Sequence, residues 1–140
     1  MRLVLDTDVV VAAMRSPAGA SAAIVKAART GRVTILMTVA MAMEYEAVCL
    51  RPEHRLPAGL STLEVEVFLD AIVAMGEPVR LHYLWRPQLR DPNDEMVLEA
   101  AINGEAEAIV TFNVRDYGEA AAQFGVAVLR PREALARIEP

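Results

Sequence analysis

Apolar and polar positions follow two rhythms along this chain. The first is a short continuous run, Leu3-Val4-Leu5, broken by Asp6-Thr7-Asp8 and resumed by Val9-Val10. A short unbroken apolar run reads as a strand buried on both faces, which places Asp6 at its carboxyl end. Similar runs occur at Val33–Met37, Ala108–Thr111 and Val126–Leu129, and a shorter one at Val79–Tyr83. The second rhythm is helical. Val9 to Met14 predicts a short helix, and Ser16-Pro17-Ala18-Gly19 a break. Ala20–Thr30 is alanine-rich and closed by Gly31 at the C′ position. Thr38 caps a helix from about Val39 to Leu50, followed by a polar connection over Arg51–Pro57. Ser61-Thr62-Leu63-Glu64 is a capping box opening a helix to Met75, with Val65, Phe68, Leu69 and Ile72 at helical spacing and Gly76 as its stop. After a loop at Pro87–Arg90, Asp91 reads as an N-cap and Pro92 as the first position of a helix reaching Asn103 before Gly104. Val114–Phe124 is helical in part, ended by Gly125, and Pro131–Ile138 is the last helix.

This alternation gives about five strands and six or seven helices, with no internal repeat, low-complexity run or linker. With right-handed crossovers, it predicts an α/β fold: a three-layer α/β/α sandwich around a mostly parallel sheet, in a single domain over residues 1–140.

Composition narrows the classes. A chain of 140 residues that is 54% hydrophobic and 24% charged has a sizeable core and is not disordered. No apolar stretch reaches the ~18 residues of a membrane span, and the acid-bearing N-terminal strand is not a signal-peptide pattern. The single cysteine, Cys49, between Val48 and Leu50, is expected to be a packed core thiol. No internal disulfide is possible, and a cytoplasmic location follows as the default. A net charge of −5 argues against a nonspecific duplex-DNA binder. It does not exclude a nucleic-acid substrate, because cations bound to an acidic site would offset the charge locally. Lys26 is the only lysine among 14 basic residues. Arginine's planar fork suits bidentate phosphate contact, although a high-GC codon bias explains the imbalance equally well.

Four acids fall where this topology brings them to one rim of the sheet. Asp6 ends the first strand, Glu44 lies on the helix after the second, Asp94 is in the first turn of the helix opened by Pro92, and Asp116 follows the strand ending at Thr111. Clustered carboxylates repel, so they take up protons or bind cations. Hard oxygen ligands suit Mg²⁺ or Mn²⁺, and such sites hydrolyse phosphodiesters by activating water and stabilising the attacking and leaving oxygens. Each acid also has a structural explanation: Asp6 as a helix cap, Glu44 as an exposed helix residue, Asp94 as a complement to the helix dipole, Asp116 as a turn acid. Asp8 reads as a second metal ligand or an N-cap. The weight lies in the set.

These residues resemble the PIN-domain nucleases, particularly the toxins of prokaryotic toxin–antitoxin pairs. Four stretches carry the likeness: Leu3–Val10, Glu44–Pro52, Arg90-Asp91-Pro92-Asn93-Asp94-Glu95, and Ile109–Tyr117. The resemblance implies a Mg²⁺- or Mn²⁺-dependent endoribonuclease of α/β/α fold, a frequent homodimer, and a cognate protein antitoxin that blocks the site. It makes Asp6, Glu44, Asp94 and Asp116 the acidic quartet, with Thr111 beside it, Asn113 as a polar neighbour and Asp91 as an acid supporting it from behind. Two positions depart from the family pattern. Asparagine is usual where this chain has Asp8, and an acid is frequent where it has Asn113, as though the acidity had moved between them.

Two rivals remain at the level of sequence. Asp6-Thr7-Asp8 also looks like the nucleophile motif of haloacid-dehalogenase-like phosphatases, but that chemistry needs a lysine after Thr111, and Lys26 lies upstream. The other is a PIN-like module that binds RNA or a protein without cutting. Elsewhere, His54 reads as surface loop and His82 as a packed strand residue. Tyr83-Leu84-Trp85 reads as core or dimer packing ahead of base stacking. Arg86, Arg90 and Arg115 flank the acids and are candidates for contact with the substrate backbone.

Overall fold

The structure, a computed structural model, describes residues 1–82, 89 and 91–139. The expected strand over Val79–Tyr83, the Tyr83-Leu84-Trp85 cluster, most of the Pro87–Arg90 loop, and Arg86 and Arg90 fall wholly or partly outside them.

Five strands form one parallel sheet: β1 (Arg2–Leu5), β2 (Thr34–Met37), β3 (Glu77–Pro78), β4 (Ala108–Val110) and β5 (Ala127–Leu129), in the order β3-β2-β1-β4-β5. Leu3, Val4 and Leu5 point alternately to opposite faces, yet all three are 0% exposed. Both faces are therefore covered, as the three-layer reading requires. β1 is central, pairing with β2 on one side and β4 on the other. The chain winds outward from β1 to β2 and β3, then crosses back to β4. That reversal opens a crevice between the carboxyl ends of β1 and β4, the position where open α/β sheets bind ligands.

The helices are α1 (Thr7–Arg15), α2 (Ala20–Arg29), α3 (Val39–Cys49), α4 (Pro52–Ala58), α5 (Thr62–Met75), α6 (Pro92–Asn103), α7 (Ala120–Gln123) and α8 (Pro131–Ile138), with a 3₁₀ turn at Val114–Asp116. The predicted caps form. Thr38 accepts from the Met41 N–H at 3.1 Å, Asp91 from the Asn93 N–H at 2.8 Å, and Ser61 and Glu64 bond reciprocally. Cys49 is fully buried. No single helix among the described residues is long and apolar enough to cross a membrane.

Four local expectations are corrected. Arg51–Pro57 is not a polar connection but mostly helix α4, which tolerates Pro57 because it is short and exposed, and which ends on the left-handed Gly59. His54 is consequently half-buried on a helix rather than on a surface loop. His82 is exposed and outside any strand, its N–H donating to Asn103 Oδ1 at 2.9 Å. The edge strand comes earlier than the apolar pattern implies, at Glu77–Pro78, because the pairing with Leu36 and Met37 fixes its register.

Gly104 follows α6 where three elements close in. A Cβ there would lie 2.9 Å from the Ala100 carbonyl oxygen, 2.9 Å from Val79 Cγ2 and 3.1 Å from Leu36 Cδ1. Gly104→Ala is expected to cost about 1–3 kcal/mol by overpacking, read as a lowered midpoint in urea unfolding.

Candidate active site

The crevice between β1 and β4 opens into a cleft of about 330 Å³ whose walls include Asp6, Asp8, Glu44, Asp91, Asp94, Asn113 and Asp116. The four acids predicted from sequence thus meet in one place. So do three of the four secondary candidates. The fourth, Thr111, stands behind them as a hydrogen-bond donor.

Each acid reaches the cleft for a local reason. The chain leaves β1 at Asp6, whose own N–H donates to the Val110 carbonyl at 2.9 Å and ties it to the end of β4. Its carboxylate caps α1, accepting from the Thr7 N–H at 2.8 Å through Oδ1. Oδ2 accepts from Thr111 Oγ1 at 2.8 Å and from the Tyr117 hydroxyl at 3.1 Å. Asp6 is therefore both a cap and a member of the acidic cluster. Two alternatives left open by the sequence coexist in one side chain. Three donors on one carboxylate fix its orientation.

Asp8, in the first turn of α1, is held differently. Its Oδ2 accepts from the Phe112 N–H and from Asn113 Nδ2, both at 3.1 Å. Its Oδ1 is buried without any hydrogen-bond partner among the described residues. The two positions where this chain departs from the family pattern, Asp8 and Asn113, are thus in direct contact. An acid has one neighbour's place and an amide the other's, and the pair still bonds.

Asp94 sits in the first turn of α6, half-buried, with its N-cap Asp91 beside it. Glu44 is half-buried on α3. Its neighbour Tyr45 turns into the core, where its hydroxyl donates to the Leu5 carbonyl and fixes α3 to the end of β1. Asp116 is exposed at the end of the 3₁₀ turn, and Arg115 beside it lines an adjoining cleft of about 450 Å³ shared with Asp91, Asp94 and Asp116. Glu95, quoted in the same motif as Asp94, is buried, and its carboxylate accepts from the Leu89 N–H.

The electrostatics follow from this crowding. Burial, then the charge of Asp6, pushes the Asp8 carboxyl up to about 6 against a reference of 3.8; hydrogen bonds from Phe112 and Thr111 oppose the rise. Asp94 is also pushed up to about 6, by burial first and then by Asp6, Asp91, Asp116 and Asp8. Tyr117 and Tyr45 are pushed up strongly by burial and by Asp6, so both hydroxyls stay protonated and act as donors. A raised carboxyl means that the folded chain binds protons more tightly than the unfolded one. The stability of the metal-free protein therefore falls as pH rises from about 4 through about 6. Asp8→Asn is expected to raise the stability of the metal-free protein at pH 7 by about 1 kcal/mol. That is well below the ~3 kcal/mol of a two-unit shift, because the group is partly open to solvent. The gain should fade below about pH 4, which thermal melts at both pH values will read.

The donor set is all hard oxygen, the chemistry that suits Mg²⁺ or Mn²⁺. Among the described residues, no three carboxylate, imidazole or thiolate groups converge closely enough to hold an ion as they stand. The orphaned Oδ1 of Asp8 is a buried acceptor in need of a cation or a proton.

Sequence reasoning missed three contributors. Tyr117 is fully buried and holds Asp6. His54 also lines the cleft, its Nδ1 lying 3.5 Å from an Arg15 guanidinium nitrogen. Tyr45 anchors the glutamate-bearing helix. Tyr117 was visible as the residue after Asp116, but nothing in its neighbourhood marked it as inward-facing.

A family model for the PIN domain matches residues 2–115. No curated protein sequence matches the chain. Among solved structures, a chain of VapBC2 from Rickettsia felis, bound to a DNA fragment from their promoter, is similar in fold: TM-score 0.62 at 14% identity, covering 93% of this chain and 98% of that one.

Proposed function

The chain belongs to the PIN-domain family, and on that premise we propose that its acidic cleft is the active site of a Mg²⁺- or Mn²⁺-dependent endoribonuclease, the toxin of a toxin–antitoxin pair. The observation that carries this reading is the meeting of Asp6, Asp8, Glu44, Asp94 and Asp116 at the point where the strand order reverses. Six acids, with Asp91 the sixth, line the cleft, more than capping and helix-dipole roles alone call for.

Asp6, Asp8, Asp94 and Asp116 would hold the cation. When bound, it lowers the pKa of water and offsets charge on the scissile phosphate. The chain's own groups do the rest. Thr7, Thr111 and Tyr117 hold the Asp6 carboxylate in one orientation. Asn113 and the Phe112 N–H do the same for Asp8. The Glu44 carboxylate, which makes no hydrogen bond among the described residues, takes the proton of the attacking water. In-line attack forms the new P–O bond as the bond to the leaving ribose oxygen breaks. Arg115, exposed beside Asp116, contacts the substrate backbone.

The fold likeness to a VapBC2 chain supports a cognate antitoxin as partner. Apolar side chains left exposed on α3 and α5, Val39, Met43, Leu63 and Val67, support self-association as a homodimer.

The test is cleavage of labelled single-stranded RNA by the purified protein. Cleavage should require Mg²⁺ or Mn²⁺ and stop with EDTA; metal-independent cleavage, or none under either metal, would sink the assignment. Arg115→Glu should weaken RNA binding roughly tenfold at low salt without lowering the melting temperature. Unaltered binding removes Arg115 from the substrate path.

A further inference from the structure

The cleft that holds the acids has a second end, built differently. Thr7, Asp8 and Val11 of α1 line it. Asp8, Val11 and Arg15 share one face of α1 at i, i+3 and i+7, which carries Arg15, the last residue of the helix, about 10 Å along the axis from Asp8. α1 packs against α4, and His54 of α4 lines the cleft together with Glu44 and Val48 of α3. Although short, α4 is held at both ends. Pro52 opens it, Gly59 closes it in the left-handed region, and the Arg55 guanidinium donates to the Leu60 carbonyl at 3.1 Å. His54 is half-buried on this anchored turn.

One contact orients the ring. His54 Nδ1 lies 3.5 Å from an Arg15 guanidinium nitrogen. A guanidinium only donates, so Nδ1 accepts, and the proton of the neutral ring is on Nε2. Nε2 is on the ring edge away from Arg15, and Arg15 itself does not line the cleft. That nitrogen makes no hydrogen bond among the described residues and is not sealed from solvent. Nor is it a ready metal ligand: among the described residues, no carboxylates converge with the ring closely enough to hold an ion. Nε2 donates in the neutral ring and in the protonated ring alike, so what it can do does not depend on the ring's charge. Six carboxylates wall the cleft, and none is bonded to the ring. A phosphate entering the cleft brings the acceptor oxygens that this donor lacks.

We propose that His54 contacts the substrate: its Nε2–H donates to a non-bridging oxygen of the RNA phosphate that enters the cleft, and Arg15 is the positioning residue that fixes the donor tautomer. The assignment rests on the nuclease reading of the acidic cleft. It divides the labour along α1. The acids at its start hold the cation, and the imidazole at its far end holds the strand. The hydrogen bond moves no proton and breaks no bond. It is made before the reaction as well as during it, so it acts on binding rather than on turnover.

The experiment is steady-state cleavage, with Mg²⁺, of labelled single-stranded RNA of mixed sequence by wild type, His54→Ala, His54→Gln and His54→Asn. Glutamine can place an amide N–H where Nε2 stands, whereas asparagine reaches only as far as Nδ1. His54→Ala and His54→Asn should raise KM roughly tenfold or more with kcat within about threefold, the scale of one hydrogen bond to a charged group. His54→Gln should bring KM back to within about threefold of wild type. Arg15→Met should raise KM several-fold alone and add nothing in the His54→Gln background, which has no tautomer to set. In NMR spectra of the free protein that correlate ring protons with ring nitrogens, recorded above the ring's titration, His54 should carry its proton on Nε2. If wild type cleaves RNA and the His54 variants keep its KM, or if the proton is found on Nδ1, the proposal is wrong while the active-site assignment stands. Equal losses in the glutamine and asparagine variants would mean packing rather than donation, and overturn it too. An Arg15→Met effect that persists in the His54→Gln background makes Arg15 a charge contact and overturns its positioning role. A fall in kcat at unchanged KM puts the ring on the leaving oxygen, and an altered choice of cleavage sequence makes it a reader of bases; either overturns the phosphate contact. If wild type does not cleave RNA, both readings fall together.

Discussion

Asp94→Asn should reduce metal-dependent RNA cleavage by about 10²–10³-fold and leave the fold intact or slightly firmer, the scale of losing one preorganised charge at a reacting centre. Asp94 lies in the first turn of α6, half-buried, and its carboxyl is pushed up to about 6 by burial and by four neighbouring aspartates. In the metal-free protein that charge is a burden at pH 7. Removing it relieves repulsion, so the melting temperature holds or rises while activity collapses. A merely structural acid at a helix start would behave in the opposite way, because losing it would weaken the helix dipole contact and lower stability. Two measurements on one variant decide the matter: calorimetric titration with Mn²⁺, which should show weakened binding, and cleavage rate at saturating metal. Activity within threefold of wild type, with Mn²⁺ affinity unchanged, would remove Asp94 from the site. Asp6→Asn gives a less clean test. Both of its oxygens accept hydrogen bonds, so the amide must turn an –NH₂ towards a donor and destabilise the fold as well.

Tyr117→Phe should lower stability by about 2 kcal/mol and activity by about tenfold. The ring is fully buried, so phenylalanine keeps the packing and only the hydroxyl is lost. That hydroxyl donates to Asp6 Oδ2 at 3.1 Å, and hydrogen bonds to charged groups contribute ~1.5–3 kcal/mol each. With the donor gone, Asp6 keeps Thr111 on that oxygen but loses one of the constraints on its orientation. The expected melting shift is roughly 6–10 °C downward. Activity should be measured well below the new melting point, so that misorientation of Asp6 is separated from unfolding. A variant as stable and as active as wild type would mean that the 3.1 Å contact does not act on Asp6.

The strands and caps were legible because each is specified locally. Leu3-Val4-Leu5 needs only its own apolarity to be a doubly buried strand. Ser61 and Glu64 need only each other to start a helix. The acids were legible as a set because each follows a strand end or opens a helix, positions that a parallel sheet gathers at one rim. What failed locally did so for a reason. The Arg51–Pro57 segment contains two prolines and several charges, so no apolar period marked it as helix; it forms one because Pro52 starts it and Gly59 ends it. His82 follows an apolar Leu81, yet the strand had already been spent at Glu77–Pro78 by register with Leu36 and Met37.

From its sequence alone the chain determines a parallel α/β sheet with acids at strand ends and helix starts, because those features rest on local periodicity, capping and the handedness of crossovers. Only the tertiary structure decides what each acid does there. It makes Asp6 a cap and a clamped ligand candidate at once, and it sets Asp8 against Asn113 with one oxygen orphaned. It also brings Tyr117 in behind Asp6. Those relations join residues about 100 positions apart, and the distance between side chains at such separations is fixed by packing, not by any pattern along the chain.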